Sequence, residues 1–285
     1  MNRKEKSAAC ARGCKNPVLT GAAAALGAGL FLIAPGMSTR KTTAPFTGKN
    51  FAHRGLHNRP KTVPENSLAA FAAAADAGYG IELDVQLSSD GEVVVFHDNN
   101  LNRVCGVDKR VCDVSYGELS KTRLCGTEET IPLFSEVLRC IRGRVPLIVE
   151  LKTGKRNREL CQKTLRLIND YRGDVCIESF DPRIVAWFRF HAPRLLRGQL
   201  SSPPEEYSPD DAPKALAFAM GNCLLNFLGR PQFIAYKIGR KPLTVRISER
   251  LGAMRFCWTS HEWIHEKRND GVIFEFYRPG TRFKN

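Results

Sequence analysis

From residue 50 onward, short apolar runs of strand length alternate with longer segments of helical periodicity. Between most of the runs lie amphipathic stretches at 66–77, 157–170, 182–191 and 243–251. Strands that alternate with helices form parallel sheets. Eight such runs in one chain therefore predict an α/β protein with a (β/α)8 barrel, or TIM barrel. The runs are FAH (51–53), GIELDVQL (80–87), PLIVEL (146–151), VCIESF (175–180), LLRGQL (195–200), QFIAYK (232–237), MRFCW (254–258) and GVIFEF (271–276).

Two further patterns refine this prediction. A doubly wound open sheet would carry a G-x-G-x-x-G turn after its first strand, and the sequence has none there. The segment SSDGEVVVFHD (88–98) has an Asp-Gly turn before a β-rich run and predicts a hairpin. Residues 99–130 then break the alternation and predict a small insertion after the second strand. Loops that follow barrel strands lie on the C-terminal face, where active sites sit.

The N-terminal region has a different composition. The net charge of the chain is +14, and residues 1–49 hold eight Lys/Arg against one Glu, which is half of that excess. Between the basic groups, PVLTGAAAALGAGLFLIAPGM (17–37) is uncharged and close to the lower length limit of a membrane-spanning helix. We therefore predict a basic tail (1–16), a single-pass membrane anchor (17–37), a linker (38–49) and a barrel domain (50–285).

Two other interpretations of residues 17–37 remain open. Small residues at Ala34 and Gly36 also fit a cleaved signal peptide, and the segment could instead be a buried globular helix. Positive charge flanks both ends, so the sequence does not fix a membrane orientation. Because the excess charge flanks one apolar segment, it favours a membrane surface as a partner rather than nucleic acid. No zinc-finger spacing or basic-aromatic stripe supports a nucleic-acid partner either.

The ten cysteines include no C-x-x-C pair. Five of them fall in apolar patterns that are typical of buried free thiols: Cys140, Cys161, Cys176, Cys223 and Cys257. Cys105, Cys112 and Cys125 cluster in the insertion, where a disulfide is possible and the sequence leaves the question open.

Three acidic residues occur near the ends of otherwise apolar strands. Glu82 and Asp84 share one face of the second predicted strand, because side chains two residues apart point the same way. Glu150 lies near the end of the strand at 146–151. Any one of these acidic residues alone would indicate only an ion-pair partner. Together in a barrel interior they would be costly without a counter-charge, which favours a divalent cation with oxygen ligands.

Histidines and cationic side chains follow at the same strand ends. His53 and Arg54 end the first strand, His97 ends the hairpin run, and Lys152 follows Glu150. Imidazoles exchange protons near neutral pH. Arg offers a fork and Lys a point charge to phosphate oxygens. A lone His-Arg-Gly is more often only a turn, but the joint placement indicates a phosphodiester site.

The order of these motifs resembles that of the glycerophosphodiester phosphodiesterases. The resemblance runs from about residue 50 to 279 and is most specific in its N-terminal half. It implies a TIM barrel with a small insertion, one divalent cation (Ca²⁺ or Mg²⁺), and hydrolysis of glycerophosphodiesters to glycerol 3-phosphate and an alcohol. The motifs are HRG (53–55), PENS (64–67), IELDVQLSSDG (81–91), VVFHD (94–98), IPLFSEVL (131–138), LIVELK (147–152) and SFDP (179–182).

The resemblance also implies a role for each matching residue. His53 and His97 match the acid/base pair of the family; we assign His53 as the base and His97 as the acid, although the sequence leaves the reverse open. The remaining matches are Glu82, Asp84 and Glu150 as metal ligands, Arg54 and Lys152 as phosphate-binding residues, and Glu65 as a supporting residue that completes hydrogen bonds of the site.

The C-terminal half departs from the family pattern. Many members have a Thr-Asp pair at the end of the last strand, where this chain has Glu275 and Phe276. Substrate preference is therefore the open part of the prediction. Two alternatives are lysophospholipase D-like (phospholipase D-like) hydrolysis of a membrane lipid and a non-catalytic protein that binds a phosphorylated headgroup. His57, in the loop after the first strand, is expected to be solvated.

Overall fold

The computed structural model describes residues 17–208 and 212–284. In this part of the chain, eight parallel strands close into a barrel in the order β1-β2-β4-β5-β6-β7-β8-β9, and β9 pairs back with β1. A short strand, β3, pairs antiparallel with the end of β2 and completes the predicted hairpin. The strands are β1 Lys49–Ala52, β2 Gly80–Leu87, β3 Val93–Val95, β4 Leu147–Leu151, β5 Val175–Ser179, β6 Leu196–Ser201, β7 Phe233–Lys237, β8 Met254–Ser260 and β9 Gly271–Phe274. The predicted barrel is confirmed.

Helices follow most of the barrel strands and cover the outside of the barrel. The main core lies between these helices and the outer faces of the strands. The helices are α1 Pro17–Ile33, α2 Arg40–Thr43, α3 Leu68–Asp76, α4 Asn102–Cys105, α5 Tyr116–Leu119, α6 Phe134–Ile141, α7 Asn157–Asn169, α8 Pro182–His191, α9 Lys214–Gly221, α10 Asn226–Gly229 and α11 Leu243–Arg250. Local sequence sets several of their starts. For example, Asp181 caps α8 through its side chain and Pro182 occupies the first turn.

Phenylalanine rings fill the inside of the barrel by lying over glycines of the neighbouring strand. Three such pairs are in register: Phe51 with Gly80, Phe233 with Gly198, and Phe256 with Gly271. A Cβ atom added at Gly198 would lie 2.1 Å from the ring of Phe233. The glycines are therefore a packing requirement, since only a residue without a side chain leaves room for the ring.

We expect the substitution Gly198→Ala to destabilise the barrel. The added methyl group must displace the Phe233 ring in a closely packed interior, which costs about 1–3 kcal/mol in the free energy of unfolding. Urea unfolding followed by circular dichroism measures this difference. Gly154→Ala is the matched control, because a Cβ at Gly154 has no atom within 4 Å. Equal stability of the two variants would contradict this account of the interior.

The insertion after β2 and β3 has a small core of its own. This core combines residues of β3 and the following turn with residues of α4, α5 and the loops between them; its buried members are Val94, Phe96, Leu101, Val104, Val111, Val114, Leu119, Leu124 and Ile131. The cysteines that the structure describes, including Cys105, Cys112 and Cys125, are all free thiols. The insertion is therefore stabilised by apolar packing.

The expected membrane-spanning helix at 17–37 is not confirmed. Across the described ranges, no helix has both the length and the apolar character needed to cross a membrane. At the C-terminal end of helix α1, Ile33 is buried, and the guanidinium of Arg230 donates hydrogen bonds to the carbonyl oxygens of Phe31 and Ala34.

Candidate functional site

Three buried carboxylates lie together inside the barrel near its C-terminal face. Glu82 and Asp84 both belong to β2, and Glu150 of β4 is in register with Asp84. One oxygen atom of each residue lies within 4.8 Å of the other two. All three are less than 10% exposed. This acidic trio (Glu82, Asp84 and Glu150) brings together the residues that the sequence predicted as metal ligands.

Three carboxylates buried side by side repel one another when ionised, which favours a bound positive ion. Burial raises the pKa of Glu82 well above its usual value, and the charges of Asp84 and Glu150 raise it further. Burial also raises the pKa of Glu150, although Lys152 opposes this. Burial alone would raise the pKa of Asp84 too, but the positive charges of His97, Lys152 and Arg54 hold it below the usual range. A divalent cation at this place would favour the ionised form of all three, and oxygen-only ligands suit Ca²⁺ and Mg²⁺.

Two cationic side chains border the acidic trio. The Lys152 Nζ lies 2.8 Å from Glu150 Oε1 and 3.4 Å from Asp84 Oδ1. These two carboxylates raise the pKa of Lys152 despite its burial, which alone would lower it. The Arg54 Nε lies 3.5 Å from Asp84 Oδ2. Both predicted phosphate-binding side chains therefore lie beside the predicted metal ligands, where they would face a phosphate bound to the ion.

The turn after β1 explains the sequence His-Arg-Gly. Gly55 has a φ of +81°, and a Cβ there would lie 2.9 Å from Ala70 of α3, so the tight turn under the helix needs glycine. The turn points the Arg54 backbone N–H at Glu82 Oε2, to which it donates a 3.0 Å hydrogen bond. The backbone thus fixes one ligand carboxylate while both side chains before the glycine face the site.

His53 lies between two carboxylates. Its Nε2 is 4.0 Å from Glu82 Oε2, and its Nδ1 is 3.6 Å from Glu275 Oε1. Burial lowers the pKa of His53 to about 4, although Glu275 opposes the shift. The imidazole is therefore neutral at neutral pH and able to accept a proton.

The expectation that His57 is solvated is wrong. Its side chain is 7% exposed, and its Nε2 lies 3.0 Å from the same Glu275 Oε1. The ring also packs edge-on against Phe276 at 5.0 Å. The sequence could not show this, because the contact joins the loop after β1 to the end of β9.

His97 is paired with its neighbour Asp98. Its Nδ1 lies 2.6 Å from Asp98 Oδ1. The hydrogen bonds from His97 and Arg103 lower the pKa of Asp98 despite partial burial, so this carboxylate stays ionised and holds the imidazole ring of His97 in place. Gln86 of β2 donates hydrogen bonds to the carbonyl oxygens of Phe96 and Asp98 and thereby ties the His97 turn to the barrel.

Glu65 joins the two sides of the site. It accepts a 2.6 Å hydrogen bond from Arg54 Nη1 and hydrogen bonds of 2.6 and 2.7 Å from Arg103. Arg103 in turn donates from Nε to Asp98 at 2.6 Å. These bonds lower the pKa of Glu65 to about 2, against the effect of its burial. A continuous set of ion pairs therefore runs from the His97 turn to Arg54.

Two residues near the site were not singled out from the sequence. Arg103 lies in the insertion and carries no local signal, because its partners lie far away in the chain. Glu178 of β5 is in register with Glu150 and fully buried, and its Oε2 has no hydrogen-bond partner among the described residues. Its burial and the nearby carboxylates raise its pKa well above the usual value. The period-two pattern of VCIESF could have indicated that Glu178 faces the barrel interior.

Buried carboxylates at the carboxyl edge of a closed parallel barrel place this chain among (β/α)8 proteins with a candidate metal site at the catalytic face. Comparison with known proteins narrows the class. The family model described as "Glycerophosphoryl diester phosphodiesterase family" matches residues 53–276, which is more than half of the chain. The chain belongs to this family, as the sequence motifs predicted.

Individual relatives agree with this assignment. The chain is 40% identical over 111 residues to a glycerophosphodiester phosphodiesterase of Bacillus altitudinis, covering 36% of this chain and 44% of that protein. It is 32% identical over 156 residues to a lysophospholipase D of Rattus norvegicus, covering 50% and 48%. The matches thus span about half the length of these relatives.

A solved structure supports the fold. A phosphodiesterase of Oleispira antarctica, in complex with the product sn-glycerol 3-phosphate, superposes with a TM-score of 0.64 at 21% identity. The match covers 80% of this chain and 93% of that one. At this level of identity, the likeness establishes the barrel architecture.

Proposed function

We propose that this protein hydrolyses glycerophosphodiesters to glycerol 3-phosphate and an alcohol in a metal-dependent reaction. The observation that carries the proposal is the buried acidic trio with His53 and His97 beside it. Family membership supports the same reaction class. Neither histidine belongs to the trio, so each is available for proton transfer.

The acidic trio fits a divalent cation. Its three oxygen ligands are close enough to share one ion, and Asp84 Oδ1 is buried without a hydrogen-bond partner. Calcium and magnesium both accept such ligands, with water and substrate completing the shell. When bound, the ion would neutralise charge on the phosphate oxygens and so favour attack at phosphorus.

Proton transfer then falls to the two histidines. Neutral His53 removes the proton from the nucleophile, which is either water or the adjacent glycerol hydroxyl; in the second case a cyclic phosphate forms and water opens it. His97, held by ionised Asp98, donates a proton to the departing alcohol. Arg54 and Lys152 hold the phosphate oxygens. The low pKa of His53 and the pairing of His97 with Asp98 support this division of roles.

A second candidate function is lysophospholipase D activity on a lipid. The observation that favours it is the likeness to a lysophospholipase D over half of the chain. The catalytic groups would be the same, and only the substituent on glycerol would differ. The location in a membrane remains a prediction from the sequence.

The test is hydrolysis by the purified full-length chain. We expect release of glycerol 3-phosphate from glycerophosphocholine, glycerophosphoethanolamine or glycerophosphoglycerol in Mg²⁺ or Ca²⁺, and loss of at least 99% of this activity in EDTA. Turnover of lysophosphatidylcholine alone would favour the second candidate. Absence of turnover from a folded, metal-binding protein would contradict both and favour a headgroup-binding protein.

A further inference from the structure

A cavity of about 370 Å³ lies beside His53 and is lined by more positively than negatively charged side chains. It opens on His53 and Arg54, and the loop after β1, the insertion and the end of β9 form its walls. Four of its lining residues carry a permanent positive charge: Arg54, Arg59, Lys61 and Arg103. Glu65 and Glu275 are the acidic residues that line it.

The acidic residues of the cavity are already paired. Glu65 holds Arg54 and Arg103 through the hydrogen bonds described above. Glu275 lies between the two histidines of the wall. By contrast, Arg59 and Lys61 have no carboxylate within 4.0 Å among the residues that the structure describes. The cavity therefore presents two exposed positive charges without an acidic partner.

The aromatic surface of the cavity is also covered by a cation. The Arg59 guanidinium carbon lies 5.0 Å from the centre of the Phe276 ring. His261 stacks on the same ring at 6.1 Å, and His57 meets it edge-on. A quaternary ammonium such as choline binds best over an open aromatic face. Here that face is occupied, and the occupant repels a second positive charge.

We propose that the leaving alcohol of the substrate carries an anionic group, a phosphate or a carboxylate, and that this group reaches into the cavity. The oxygen of the alcohol then lies at His97, whose partner Asp98 is held by the cavity residue Arg103. The inference rests on the proposed function, because it assigns the cavity to one substituent of the phosphodiester. Glycerol has only hydroxyl groups and gains little from two unpaired cations. An anionic substituent gains an attractive interaction with each.

A substrate pair that differs by one phosphate tests the proposal. The full-length protein is assayed with glycerophosphoinositol, glycerophosphoinositol 4-phosphate and glycerophosphocholine, and glycerol 3-phosphate is measured for all three. We expect kcat/KM to be at least about tenfold higher for the phosphorylated inositol than for the unphosphorylated one, and lowest for choline. Added salt should lower the ratio of kcat/KM between the two inositol substrates, because salt screens the exposed charges of the cavity.

Variants assign the preference to this cavity. Replacing both Arg59 and Lys61 by glutamine should reduce the ratio for the inositol pair to about threefold or less. Arg172→Gln is the matched control, since Arg172 is exposed, precedes β5 at the opposite end of the barrel and has no ion pair within the described residues. It should leave the ratio unchanged.

The outcomes separate this inference from the proposed function. Turnover of all three substrates with equal kcat/KM, or with choline best, overturns the anionic preference and leaves the hydrolase in place. A preference that survives in the Arg59/Lys61 double variant overturns the assignment to this cavity. If nothing is hydrolysed, the proposed function fails. Calorimetric binding of the three compounds then still decides the preference, and equal affinities would overturn it.

Discussion

Replacing His53 by alanine should lower kcat for glycerophosphodiester hydrolysis by about 10²–10⁴-fold, the range typical for loss of a positioned general base. The side chain is neutral at neutral pH because burial lowers its pKa to about 4. The activity that depends on this base should therefore persist in mild acid and fall as the pH approaches about 4. A pH profile of kcat/KM with the wild-type protein measures the acidic limb. A limb near 6.5 that stays at the same pH when the concentration of divalent cation is raised would contradict the assignment of His53, since a limb caused by protonation of the acidic trio would shift with the metal.

The choice of leaving group separates the base from the acid. His97→Ala should cause a similar loss with an ordinary alcohol, since an alkoxide leaves poorly without a proton. With a p-nitrophenyl ester of glycerol phosphate the leaving group needs no proton, so His97→Ala should regain most of the activity and His53→Ala should not. The opposite pattern would reverse the two roles.

A control histidine lies far from the site. His191 ends α8, is exposed, and stacks on Trp187 with ring centres 4.1 Å apart. We expect His191→Ala to change kcat by less than about twofold. A large loss in this variant would show that alanine at a histidine position acts through the fold rather than through proton transfer.

The substitution Glu82→Gln should abolish the response of the protein to divalent cations. Saturating Mg²⁺ or Ca²⁺ should stabilise the wild-type protein, by about 2.7 kcal/mol at a hundredfold excess over Kd, and should leave the variant unchanged. Activity should fall by more than about 100-fold, because the loss of a residue that only hydrogen-bonds to a metal ligand already costs about 10–100-fold. Thermal unfolding with and without metal provides the measurement.

In the absence of metal, Glu82→Gln should also change how the free energy of unfolding depends on pH. The pKa of Glu82 is raised in the folded state, so the folded protein binds more protons than the unfolded one as the pH rises above 4.5. The free energy of unfolding therefore falls with rising pH over that range. Glutamine removes this contribution, and the metal-free variant should lose less stability than the wild type between pH 5 and 8.

Glu178→Gln is the matched control for these experiments. It removes another fully buried carboxylate of the barrel interior while leaving the acidic trio intact. The variant should still be stabilised by divalent cations. If it lost that response as Glu82→Gln does, the metal site would have to include Glu178.

The barrel could be predicted from the sequence because its signals are local. The run at 80–87 is β2 residue for residue, and the stretch at 182–191 is α8. Continuous apolar runs mark strands that are buried on both faces, so each strand is recognisable without its neighbours. The acidic trio was predictable for a related reason: charged residues in such runs are conspicuous.

The contacts between loops could not be predicted in the same way. Glu275 follows β9 and was noticed only as a departure from the family pattern, yet it lies between His53 and His57. Arg103 pairs with Glu65 across 38 positions of sequence. Neither pairing has a periodic signal, since it depends on how loops from different strands meet above the barrel. For residues 17–37, the membrane anchor stays a prediction from the sequence.

The separate core of the insertion has a consequence for how such a site can diversify. His53 and the acidic trio depend on the barrel, whereas His97 and Arg103 depend on a second, smaller apolar cluster. In the proposed mechanism, substitutions within that cluster would move His97 relative to the phosphate while the strands keep their register. The insertion would then be the part of the fold in which the leaving-group preference can change without disturbing the acidic trio.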